Sequence, residues 1–264
     1  MNVNTLAKLT SAKWALHASA KSMILLAVTK LANFDGKIAD DFEVSDNVTI
    51  LGNVGVISVD GILSQHVSDV EAFFGFTDCE DIKSAIEELD ENPLVDKIVL
   101  YVNSPGGSTA GINATAEAVR NAVKPVYAFS DSVCASAAYW FASNAQSGCY
   151  GTDDAEFGAV GIFSLFTSDL AYLDKEGFAP TLIKSGTYKA IGVAPLSDNE
   201  KAIKQAESDK LYNTFKGTIL AVRPQISDDD LQGLAYSGQD AIDKGFIDGF
   251  IDSIEEMVSF LRDN

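Results

Sequence analysis

Histidine is scarce in this chain: of 264 residues, only His17 and His66 carry an imidazole. Cysteine is scarce too, with three residues, Cys79, Cys134 and Cys149. An odd count without metal-ligand spacing argues against a disulfide framework, and so few histidines make a zinc site improbable. The thiols read as reduced, which points to a cytosolic compartment. No cofactor and no metal is expected. Long apolar runs are missing as well. The best, Met23 to Val28 between Lys21 and Lys30, falls well short of the roughly 20 residues of a spanning helix. It is also shorter, and begins later, than the apolar stretch of a signal peptide. The sequence therefore predicts no membrane anchor and a cytoplasmic location. Positive charge is the last shortage. Nineteen lysines and arginines face 38 aspartates and glutamates, a formal net charge of −19. A surface of that sign argues against binding nucleic acid by neutralising phosphates; it favours solubility and repels acidic partners.

What is present fits an ordinary globular protein, 47% hydrophobic and 22% charged. The length suits one α/β domain with a short extension. Residues 1–47 stand apart. Leu6, Leu9, Trp14, Leu16, Met23, Leu26 and Leu31 fit helical faces, with Lys8, Lys13, Lys21 and Lys30 on the wet sides. Asp35, Asp40, Asp41, Glu43 and Asp46 then form an acidic linker. The reading is a helical arm over 1–47 and a single body over 48–264.

In the body, apolar runs alternate with amphipathic segments. Strands are predicted over 54–59, 97–102 and 125–129, with helices over 78–89, 110–123 and 135–145. That order implies parallel strands joined by right-handed crossovers. Further on, 155–166 reads as a bent strand and 182–183 begins a short one. A long helix is predicted over 196–222, with shorter ones over 228–234 and 236–245, the last ending on a glycine cap.

Three segments could carry chemistry. Asn103-Ser-Pro-Gly-Gly107 follows a buried strand. Its glycines free backbone N–H groups to hold a developing oxyanion, or they make a plain turn. Ser136, in Cys134-Ala-Ser-Ala-Ala-Tyr139, sits among small residues at a helix start. It is either a helix cap or a nucleophile with room for a substrate backbone. Lys189, in Lys184-Ser-Gly-Thr-Tyr-Lys189, is either a solvated side chain or a base. A serine nucleophile needs a base, and no histidine lies beyond His66. A lysine serves when desolvation favours its neutral form, and Ile183, Ile191 and Val193 are the apolar neighbours expected to desolvate it.

The combination resembles the signal peptide peptidase A (SppA) family of Ser-Lys peptidases. It resembles most the protein C type capsid-maturation proteases of tailed phages. The resemblance runs from about Val54 to Ile254 on VISVDGIL (56–63), YVNSPGGSTAG (101–111), ASAAYW (135–140), FGAVGIF (157–163), IKSGTYKAIGVAP (183–195) and YSGQDAIDKGFID (236–248). It implies Ser136 as nucleophile, Lys189 as base, and Gly107 and the Ala137 N–H as oxyanion donors. Two departures stand out. Ala137-Ala138 replaces a frequent Gly-Gly, and Ala190 replaces a frequent Asp, leaving Ser185 or Tyr188 to orient the lysine. The Ser-Pro-Gly-Gly strand end also resembles Clp proteases and crotonases, implying a spiral of β-β-α units with sites near subunit contacts. The resemblance further implies polypeptide substrates, among them phage scaffold, portal or capsid proteins, and a homo-oligomeric ring or dome in host cytoplasm or prohead. A cytosolic SppA-like peptidase that degrades signal or other peptides, and an inactive assembly subunit of the same fold, are the alternatives.

Overall fold

The chain as a computed structural model describes residues 14–16, 47–166, 168, 170–179 and 181–263. Most of the expected arm thus lies outside the described residues. Its one described piece, β1 (Trp14–Leu16), is a strand and not part of a helix.

Apolar runs build a large sheet. β2 (Val48–Leu51) pairs antiparallel with β3 (Val54–Asp60). From there β6 (Lys97–Asn103), β8 (Val126–Ser130), β10 (Cys149–Gly151) and β13 (Gly249–Phe250) add in parallel, giving the order β13-β10-β8-β6-β3-β2. Both faces are covered, which is why Ile98 to Val102 reads as an unbroken apolar run. Ile57, Val59, Ile98, Leu100 and Val102 join the main core. Val54, Val56 and Val99, alternating with them, pack on the opposite face with Phe129 and Met257, Val258 and Leu261 of the C-terminal helix.

Three of the large-sheet strands, β3, β6 and β8, each lead into a short strand of another sheet and then into a helix. β6 continues to β7 (Gly106–Ser108) and the helix Ile112–Asn121; β8 continues to β9 (Val133–Ala135) and the helix Ala137–Ala142. β3 continues to β4 (Ile62–Ser64), the helix Asp69–Phe73, β5 (Phe76–Asp78) and the helix Cys79–Glu91. In chain order these helices are α1 (Asp69–Phe73), α2 (Cys79–Glu91), α3 (Ile112–Asn121) and α4 (Ala137–Ala142). The predicted β-β-α repetition is therefore present. Among the described residues, the short strands form a sheet β1-β7-β4-β5 and a sheet β12-β11-β9, with β11 at Glu156–Gly158 and β12 at Ala235–Tyr236.

The second half departs more from expectation. The bent strand predicted over 155–166 stops at Gly158, because Gly158 (φ 107°) and Ala159 (φ 50°) leave the extended region. No strand forms at Leu182-Ile183; residues 181–184 are irregular and exposed. α5 (Leu170–Lys175) and the long α6 (Asp198–Val222) flank that stretch. α6 starts on a Ser197/Glu200 capping box, with Ser197 taking the amide of Glu200 and the Glu200 carboxylate taking that of Ser197. The helix predicted over 228–234 is one 3-10 turn at Asp228–Leu231. The one predicted over 236–245 begins later, as α7 (Gly238–Asp243), because Tyr236 belongs to β12. Gly245 takes the expected cap, with φ 83°. α8 (Ile254–Asp263) closes the outer sheet face. No helix among the described residues is long and apolar enough to cross a membrane.

Candidate active site

Two segments that leave the large sheet run side by side. Past the end of β6, the Ser104 N–H donates to the Val133 carbonyl at 2.7 Å, and the Ala135 N–H donates back to the Ser104 carbonyl at 3.1 Å. The Ser104 hydroxyl donates to the Gly61 carbonyl at 2.7 Å and accepts the Gly106 N–H at 3.1 Å. Ser104 is fully buried, so these bonds face no competition from water. It clamps the glycine segment against the serine segment. The sequence offered a signal for this clamp, a serine locked between a strand end and Pro105, but its role needed the neighbouring strand to be seen.

Gly107 is a strand residue, not the tip of a turn. It lies opposite Leu63 of β4. A Cβ there would sit 2.0 Å from the Leu63 carbonyl oxygen, so only glycine fits.

Ser136 immediately precedes α4. Its backbone is at φ 56°, ψ −120°, a region that a residue with a Cβ occupies only at a cost of about 1–3 kcal/mol. The bend is held from both sides: the Ser136 N–H donates to the Gly158 carbonyl at 2.7 Å, and the Ser136 carbonyl accepts the Trp140 N–H at 2.9 Å. The side chain makes no capping bond, so the helix-cap explanation of this serine fails. Its Oγ is buried and makes no hydrogen bond among the described residues. A buried hydroxyl with no partner costs free energy, and such strain and desolvation cluster at functional positions.

The helix behind it is fixed in place. Trp140 stacks on Phe215 of α6 at 4.3 Å between ring centres, and the Tyr139 hydroxyl donates to the Phe246 carbonyl at 2.8 Å. Ala137 and Ala138 are fully buried, so their small size lets the helix enter the core directly behind the serine. Ala137 is the first residue of α4, where a backbone N–H has no intrahelical acceptor. Cys134, two residues before Ser136, is no rival nucleophile. Burial pushes its thiol well above the usual range and keeps it inert. His66 is exposed in the loop after β4.

Lys189 is not joined to Ser136 within one chain. It lies in an exposed turn, where its own N–H donates to the Gly186 carbonyl. Two of the three neighbours expected to desolvate it are themselves in solvent, Ile183 91% and Val193 47% exposed, and Ile191 is half-buried. Tyr188, the expected orienting residue, instead accepts a hydrogen bond from Asn199 at 3.2 Å, and Ser185 is exposed. The structure thus brings Ser136, Ala137 and the glycine segment together and leaves Lys189, Ser185 and Tyr188 outside.

Comparison with known proteins bears on this geometry. Residues 118–263 match peptidase family S49. Capsid assembly protease C of Escherichia phage lambda is 28% identical over 223 residues, 81% of this chain and 50% of that protein. Head-tail preconnector protein GP5 of Enterobacteria phage P21 is 27% identical over 225 residues, 81% of this chain and 44% of that protein. Protease 4 of Haemophilus influenzae is 27% identical over 238 residues, 87% of this chain and 37% of that protein. The chain spans about half the length, or less, of these relatives. Among solved structures, ClpP1 of Listeria monocytogenes superimposes with a TM-score of 0.51 at 13% identity, over 76% of this chain and 94% of that one. The fold is Clp protease-like.

Proposed function

This chain belongs to peptidase family S49, and on that premise we propose that it is a serine endopeptidase with Ser136 as nucleophile and Lys189 as base. One observation carries the reading: Ser136 is held in a strained bend with a buried hydroxyl that has no partner among the described residues. Neutral Lys189 takes the hydroxyl proton as Oγ bonds to the scissile carbonyl carbon. The N–H groups of Gly107 and Ala137 receive the oxyanion. Protonated Lys189 then gives its proton to the departing amine as the C–N bond breaks. Water, deprotonated in turn by Lys189, adds to the ester carbonyl, and Lys189 returns that proton to Oγ as the C–O bond breaks, freeing Ser136.

The base comes from a neighbouring copy of this chain. Among the described residues Ser136 Oγ has no partner, while Lys189 projects from an exposed segment rich in apolar side chains, Phe163, Leu165, Phe166, Phe178 and Ile183. Exposed apolar surface of this extent is the mark of an interface. Docking it on a second copy would desolvate Lys189, which its own chain does not do. The names of the phage relatives support a role in head maturation, with proteins of the assembling capsid as substrates.

A fluorophosphonate probe tests the nucleophile. The unaltered chain should be labelled on Ser136 and Ser136→Ala should not. Absence of labelling on the assembled protein would refute a serine mechanism.

A further inference from the structure

β7 has two edges. One pairs with β4, Leu63 opposite Gly107. The other is taken by β1, which runs antiparallel with Trp14 opposite Ser108, Ala15 opposite Gly107 and Leu16 opposite Gly106. β1 reaches this edge from outside the 48–264 body, and among the described residues β7 is its only strand partner. A second observation is independent of it. Ser136 is 1% exposed, so no substrate carbonyl reaches its hydroxyl in this state.

An extended polypeptide binds a strand by adding to its unpaired edge through main-chain hydrogen bonds. Next to Gly107 that edge is already filled, by an extended stretch of the chain itself. We infer that Trp14–Leu16 is a tethered occupant of the peptide-binding edge, an autoinhibitory strand that must leave before a polypeptide substrate pairs with β7. The identity of the displaced ligand rests on the peptidase reading. Three residues make a weak strand, so as a free peptide β1 would hold the edge only weakly. Tethering raises its local concentration to the order of millimolar. That suffices to exclude stray peptides while letting a tightly bound substrate win.

The test is peptide binding in a Ser136→Ala background, so that nothing is cut. The probe is a fluorescein-labelled peptide of residues 10–20, TSAKWALHASA, read by anisotropy against the full-length chain. Ala15→Pro removes a backbone donor at the centre of the strand and should open the edge. Trp14→Gly with Leu16→Gly, which lowers strand propensity without proline, repeats the test should the first variant fold poorly. Each variant should bind the probe at least about ten-fold tighter than the chain with its arm intact. Equal affinity within about two-fold, or a probe that binds none of them, overturns the inference. Binding as stated, with no fluorophosphonate labelling of chains that retain Ser136, would instead overturn the peptidase reading alone.

Discussion

Ser136 combines two unfavourable features, a backbone at φ 56°, ψ −120° and a buried hydroxyl without a partner among the described residues. Neither helps the fold, so replacing the residue should help it. Glycine relieves the backbone, whereas alanine keeps the strained Cβ. Ser136→Gly should therefore be more stable than Ser136→Ala by about 1 kcal/mol, which is about 2–4 °C in Tm for a domain of this size. Neither should be labelled by fluorophosphonate. A Ser136→Ala protein that melts above Ser136→Gly would show that the bend is not strained. Gly107 behaves oppositely. Gly107→Ala places a methyl against the Leu63 carbonyl, so thermal melting should show a loss of stability together with loss of activity. At this scale the sequence spoke clearly. Ser136 and Gly107 announce themselves by small neighbours and a strand-end glycine pair, because close approach of backbones needs small residues. The role of Ser104 was hidden, since a serine's partners depend on which strand lies alongside.

At the level of elements, α6 is locked to the sheet by an ion pair with a buried guanidinium and a half-exposed carboxylate. Arg223, just past its end, is 5% exposed and donates to both carboxylate oxygens of Asp248, at 3.1 and 2.7 Å, and to the Gly245 carbonyl at 3.1 Å. Asp248 also accepts the Cys149 N–H at 2.7 Å, joining the pair to β10. Burial works to raise the Asp248 carboxyl, but the hydrogen bonds and charge of Arg223 prevail and hold it below its ordinary value. A carboxyl depressed in the folded state contributes stability above its unfolded pKa of about 3.9, and that contribution is lost as pH falls through the lower folded value. Asp248→Asn should therefore flatten the acid limb of a Tm-against-pH curve below about pH 4. At neutral pH it strands a buried guanidinium and should cost about 3 kcal/mol in chemical denaturation. Arg223→Met leaves a half-exposed carboxylate that water can reach and should cost less. The reverse ranking would contradict this account of the pair. Periodicity revealed β3, β6 and β8 because each is buried along its length, and the long helix α6 because its C-terminal part buries Phe215 and Ile219. It failed over 155–166 and 182–183, where apolar side chains such as Leu165 and Ile183 face solvent. Apolar patterning carries no sign of whether the cover comes from the same chain or another.

For the whole molecule, that ambiguity points to a site shared between copies. The Lys189 segment reads as core in sequence and stands exposed in the single chain, while Ser136, the proposed nucleophile, has no base beside it among the described residues. A head-to-tail ring reconciles the two, each interface supplying the serine of one copy and the lysine of the next. Mixing inactive chains tests it. Ser136→Ala and Lys189→Ala proteins should each be inactive alone on a polypeptide substrate. Co-assembled in equal amounts, half the sites keep their serine and half of those meet an intact lysine. Activity should return to about one quarter of the unaltered rate. A co-assembled mixture as inactive as either parent would show that serine and lysine act within one chain, and would contradict a site completed between copies.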